Sequence, residues 1–138
     1  MDTWFDRVWN QNDADYIDEG CDIDVTTIGH IDLGKKLNGP AEFKAFHAVF
    51  CALVTDIEMR IVKSMEDGDW FSAVYTVTGK SIETGVPFET TGSTYLRMKN
   101  GKIAEVHEHF NFLDCFQKIG LLPDDTLEQC LSGRALQI

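Results

Sequence analysis

The sequence predicts an α+β fold in which three N-terminal helices pack over a cone-shaped, curved antiparallel β-sheet. Three observations predict it. Bulky apolar residues recur at helical spacing in the first third of the chain, as at Trp4, Phe5, Val8 and Trp9. From Asp56 onward the texture changes to β-branched and aromatic residues punctuated by turn signals. Helices first and a meander afterward is the order in which helices gather on one face of a sheet. With 138 residues and no repeat or Pro/Ser-rich linker, residues 1–138 read as a single domain with its own core.

In order along the chain, the N-terminal aromatic stripe forms the first helix. Asn12 or Asp13 caps a short second one carrying Tyr16 and Ile17. After Gly20, residues 23–28 read as a short strand ending at Gly29. Asn38-Gly39-Pro40 opens a third helix with Phe43, Phe46, Phe50 and Leu53 on one stripe. Four long strands follow, at about 56–65, 69–81, 87–99 and 102–112, with Asn100-Gly101 the clearest hairpin turn because both residues tolerate positive φ. Gly92, inside the third of these, is expected to mark a bulge or bend. A helix over about 112–119 stops at Gly120. The spacing Asp125-x-x-Glu128 predicts a capping box on a last helix to about Leu131, with Gly133 just past its end.

Acidic residues (23) outnumber basic ones (12), for a net charge of −11, which repels phosphate backbones and anionic membranes. No nucleic-acid or membrane partner is expected, and no apolar run is long enough to span a bilayer. The acidic N-terminus lacks a signal-peptide pattern, so the expected location is cytoplasmic. Cys21, Cys51, Cys115 and Cys130 lie far apart with no C-x-x-C, and read as reduced thiols. The aspartates at 13, 15, 18, 22 and 24 read as a solvated, helix-capping run, since the calcium-loop pattern is absent.

The run from Gly101 to Pro123, G-K-I-A-E-V-H-E-H-F-N-F-L-D-C-F-Q-K-I-G-L-L-P, resembles the C-terminal signature of SnoaL-like polyketide cyclases of the nuclear transport factor 2-like (cystatin-like) superfamily. The Val8-Trp9-Asn10 helix, Gly39, Asp69, Gly79 and Gly85-x-Pro87 fit the same resemblance. It implies the conical fold, a small carbonyl-containing ligand, proton-transfer chemistry of isomerase, cyclase or dehydratase type, and no cofactor. Two positions depart from the pattern: His107 stands where the family has tryptophan, and Asn111 where it has the aspartate associated with acid–base work. An amide cannot take a proton near neutral pH, although it can donate hydrogen bonds to an oxyanion.

Alternation in the last strand places Glu105, His107, His109 and Asn111 on one face and Ala104, Val106, Glu108, Phe110 and Phe112 on the other. The resemblance implies that the polar face looks into the cavity and the apolar one toward a neighbouring element or a partner subunit, and a homodimer through the outer sheet face is expected. On that placement His107 or His109 serves as general acid or base, Asn111 and Tyr75 steady an oxyanion, and Glu105 orients a histidine. The same histidines can instead be structural, or H-x-H can hold a metal with Glu105, His47 or His30 as third ligand, though no spaced third ligand is evident. Tyr75, Thr90 and Thr94 fall on inward strand faces, and Trp9, Tyr16, Phe46 and Phe50 are candidates to close the pocket from the helical side or to be plain core. His47 is expected at the boundary of that core. A non-catalytic binding domain of the same fold is the alternative reading.

Overall fold

Trp4, Phe5, Val8 and Trp9 recur at helical spacing, and the N-terminus is helical throughout Asp2–Asn10. In the computed structural model, which describes residues 1–30 and 35–137, α1 (Asp2–Phe5) widens into a π-type turn over Asp6–Asn10. Trp4, Phe5 and Val8 are all buried. Asp13 pairs with Arg7 at 2.5 Å and accepts a bond from the Tyr16 backbone, which starts α2 (Tyr16–Gly20). Asp18 pairs with Lys44 at 2.7 Å, so two members of the acidic run act as local anchors.

β1 (Cys21–Ile28) and the two-residue β2 (Leu37–Asn38) precede α3 (Gly39–Cys51). Pro40 sits in the first turn of α3, and the Glu42 carboxylate reaches back to accept from the Asn38 backbone at 3.0 Å. Phe43, Phe46, His47 and Phe50 form its buried face. The long strands are β3 (Val54–Asp67), β4 (Trp70–Ser81), β5 (Pro87–Lys99) and β6 (Lys102–Phe110), and they pair antiparallel in sequence order. Asn100 and Gly101 both take positive φ, 52° and 77°, as the hairpin turn requires.

The full strand order is β2-β1-β6-β5-β4-β3. β1 runs parallel to β6, so the curved sheet is mixed at that margin; the pairing joins segments some eighty positions apart and leaves no local signal. The bulge expected at Gly92 is absent: the β4–β5 ladder stays in step from Trp70↔Arg97 to Lys80↔Pro87. α4 (Phe112–Lys118) and α5 (Thr126–Leu131) follow the sheet. Asp125 makes no capping bond to the α5 backbone; its carboxylate accepts from the Gln129 side chain at 2.8 Å instead. Among the described residues no helix is long and apolar enough to cross a membrane.

One close approach fixes the sheet margin next to the site. Gly29, at φ 98°, lies against the Glu108 backbone, and a Cβ there would sit 2.9 Å from the Glu108 carbonyl carbon. Gly29→Ala is expected to lose at least ~2 kcal/mol of stability in urea unfolding, combining strained backbone with steric overlap. Gly68→Ala, in an open turn with nothing within 4 Å, should lose only about 1 kcal/mol.

Candidate functional site

The helices close over the concave face of the sheet around a cavity of about 50 Å³, room for roughly three to five water molecules or a small fragment. Its walls are mostly aromatic: Trp4, Phe5 and Trp9 from the N-terminus, and Phe43, Phe46 and Phe50 from α3. Phe110 and Phe112 close it where β6 turns into α4. His30 also lines it, stacked on Phe46 at 4.3 Å between ring centres. No lysine or arginine does so among the described residues.

On the sheet side three polar residues converge. Glu108 is 7% exposed, and the Tyr75 hydroxyl, from two strands away, donates a short hydrogen bond to its Oε1. Thr94 stands directly opposite Glu108 in the β5–β6 register. Burial pushes the Glu108 carboxyl up to about 7, against the opposing influence of the Tyr75 and Thr94 hydroxyls. Burial and the adjacent carboxylate likewise raise Tyr75 far above the ordinary phenol range, so the phenol stays a neutral donor. Thr94 Oγ1 is buried beside the Glu108 carboxyl, close enough to favour its ionised form, but makes no hydrogen bond of normal geometry within the described residues. A buried hydroxyl facing an apolar cavity without such a bond is a position where a ligand oxygen can bind.

The sequence grouped the β6 side chains correctly and assigned the two groups to the wrong sides. Val106, Glu108 and Phe110 line the cavity, whereas Glu105, His107 and His109 lie on the outer face. There His107 Nε2 is 2.7 Å from Glu105, which also meets Arg97 at 3.4 Å, and both contacts hold the Glu105 carboxyl below its usual range. His109 is exposed beside a shallow outer depression. The physical reason is desolvation: burying one carboxyl is less unfavourable than burying two imidazoles, a carboxylate and an amide together. Asn111, also outside, caps α4, its side-chain oxygen accepting from the Asp114 backbone at 3.1 Å.

Of the other candidates, Tyr75, Thr94, Trp9, Phe46 and Phe50 line the cavity, but Thr90 and Tyr16 do not. The Thr90 hydroxyl donates to Asp114 at 2.6 Å, tying α4 to β5, and Tyr16 packs between Trp4 and the Arg7 guanidinium. His47 is not a boundary residue: it is fully buried, its Nε2 2.8 Å from the Val8 carbonyl oxygen. No cluster of metal-ligating side chains occurs among the described residues, and His107 and Glu105 lie across the sheet from the cavity that His30 lines. Glu108 is the residue that sequence reasoning missed. Its signal was present as the lone charge on an otherwise apolar alternation, Ala104-Val106-Glu108-Phe110-Phe112.

A family model described as a SnoaL-like domain matches residues 1–106. No curated protein matches the sequence. Among solved structures, a protein of ketosteroid isomerase-like fold from Catenulispora acidiphila, in complex with trimethylamine, superposes with a TM-score of 0.75 at 18% identity, covering 87% of this chain and 92% of its own. A proposed SnoaL-like polyketide cyclase from Jannaschia gives 0.74 at 20% identity, over 88% and 89%. IdmH from Streptomyces antibioticus, a proposed polyketide cyclase, gives 0.74 at 18%, over 84% and 93%. At these identities the likeness shows the nuclear transport factor 2-like fold.

The raised Glu108 carboxyl couples folding to pH. With a folded value of about 7 against a model value of 4.5, its contribution is fully present below about 4.5 and is lost as pH rises through 7, by about 3 kcal/mol in total. Glu108→Gln should remove that component, so that the stability difference between variant and wild type grows from pH 4.5 to 8 in urea titrations. A difference that is flat with pH would show Glu108 to be ordinarily solvated.

Proposed function

The chain belongs to the SnoaL-like domain family, and from that premise we propose that it moves a proton next to the carbonyl of a small, uncharged, largely apolar ligand, as an isomerase, cyclase or dehydratase does. The observation that carries this reading is the Glu108–Tyr75 pair at the polar end of an aromatic cavity. A carboxyl that titrates near 7 has base and acid forms both populated at neutral pH, the condition under which one group can take a proton and return it. The Glu108 carboxylate takes the proton from the carbon next to the carbonyl, and the C–H electron pair passes into the enolate. The Thr94 hydroxyl donates to the developing oxyanion, and Tyr75 steadies the carboxylate. Protonated Glu108 then gives the proton back, at the same or a conjugated carbon. The absence of any lining cation within the described residues disfavours carboxylate or phosphate ligands.

The test is solvent exchange. Small cyclic and aryl ketones incubated in deuterium oxide should gain deuterium next to the carbonyl in the presence of the protein, read by mass spectrometry. Glu108→Gln should slow this by roughly 10²–10⁴, and the wild-type rate should rise with pH through about 7, where the base forms. His107→Ala and His109→Ala should retain the rate. Ketones that bind without exchange in the wild type would instead support a recognition-only cavity.

We also read the protein as a homodimer through the outer sheet face, and as cytoplasmic, where its four free cysteines would stay reduced. Exposed Ile28, Val74 and Tyr95 support that surface, with Tyr95 stacked on Trp70 at 4.5 Å between ring centres. Sedimentation should give a dimer at micromolar concentration and a monomer for Tyr95→Asp; a monomeric wild type would refute the interface.

A further inference from the structure

Tyr75 lies on β4 and Glu108 on β6, with β5 between them. Neighbouring strands are about 4.8 Å apart, so the phenol must cross the inner surface of β5 to deliver its hydroxyl. The register shows where it crosses. Tyr75 is opposite Gly92, and Glu108 is opposite Thr94, the next inward position along β5. A Cβ built on Gly92 would lie 2.7 Å from Tyr75 Cε1, and closer still to the phenol end of the ring. The backbone supplies no other reason for glycine. Gly92 is not among the positive-φ glycines, the ladder around it is unbroken, and glycine inside a strand is unfavourable in itself.

We propose that Gly92 is a positioning residue: its missing side chain opens the passage by which the Tyr75 phenol crosses β5 and reaches the Glu108 carboxyl. For its catalytic consequence this rests on the proton-transfer reading above; for its geometry it does not. Any side chain at 92 lifts the ring away from the sheet and withdraws the Tyr75 hydroxyl from Glu108. Besides Glu108 and Tyr75, the other titratable group lining the cavity within the described residues is His30, and no lysine, arginine or further carboxylate does so.

The experiment reads Glu108 ionisation directly, without substrate, from carboxyl carbon NMR of glutamate-labelled protein, with Glu108→Gln to assign the signal. Loss of the Tyr75 hydrogen bond removes an influence that lowers the Glu108 value. Gly92→Ala and Tyr75→Phe should therefore both move the Glu108 titration upward, by about one unit. A folded Gly92→Ala protein in which Glu108 titrates as in wild type overturns the proposal.

A thermal cycle with Tyr75→Ala keeps the test decisive even if the single alanine variant unfolds. Gly92→Ala should lower Tm in the wild-type background, and should leave it unchanged or raise it once the ring is gone. An equal drop in both backgrounds shows that glycine serves the strand itself and refutes the assignment. Absence of ketone exchange in wild type would refute the proposed function while leaving the titration result standing. A normal exchange rate in Gly92→Ala, with the titration shifted, would show that the Tyr75 bond is dispensable for turnover.

Discussion

A carboxyl group held in an aromatic enclosure is the constraint around which the rest of the molecule is arranged. Glu108 has left water almost completely, and its ionised form is the less favourable one there. What keeps it from being an isolated buried charge is the Tyr75 hydroxyl. That bond can form only if three strands stay in register, because β4 supplies the phenol, β5 the gap it crosses, and β6 the acceptor. The margin of the sheet meets the same residue, since Gly29, just past the end of β1, is pressed against the Glu108 backbone. Site and scaffold therefore share their most restrictive contacts, and strain in either is felt by the other.

The two faces of the sheet divide the chemistry. Inside, among the described residues, the Glu108 carboxyl, the Tyr75 and Thr94 hydroxyls and the His30 ring stand among aromatic rings. Outside, Glu105 contacts both Arg97 and His107 in a half-buried polar row next to the Trp70–Tyr95 stack. Each outer group keeps much of its hydration and its partners are local, so the row perturbs Glu105 only modestly and supplies little stability. Titratable groups a few ångströms apart along one strand thus experience opposite environments. The strand pleat alone is responsible, because consecutive side chains leave it in opposite directions.

That division also explains how far the sequence could be read. Local signals carried well: the Asn100-Gly101 turn, the Pro40 start of α3, the Phe43–Phe46–Phe50 stripe and the parity of β6 are all set by neighbours in the chain. Parity does not say which face is inside. The row Ala104-Val106-Glu108-Phe110-Phe112 is the more apolar of the two and is the one that folding buries, whereas the resemblance placed the polar row inside. The parallel pairing of β1 with β6 and the crossing of Tyr75 over Gly92 both depend on segments brought together only by folding. The expected capping box at Asp125 failed for a more local reason, because Gln129, one turn along, competes for the same carboxylate.

The departure from the cyclase pattern at Asn111 now has a physical meaning. An aspartate at that position would also cap α4, because either side chain offers an oxygen to the Asp114 backbone. The structural requirement there is for an acceptor, not for a proton carrier, and the amide meets it without adding charge beside Asp114. The carboxyl that burial raises lies deeper in, at Glu108. There aromatic walls exclude water, and there the Thr94 hydroxyl, which makes no hydrogen bond of normal geometry within the described residues, faces the same space. Depth makes the carboxyl a stronger base and the hydroxyl a stronger donor than either would be at the rim, because both interactions act in a low local dielectric.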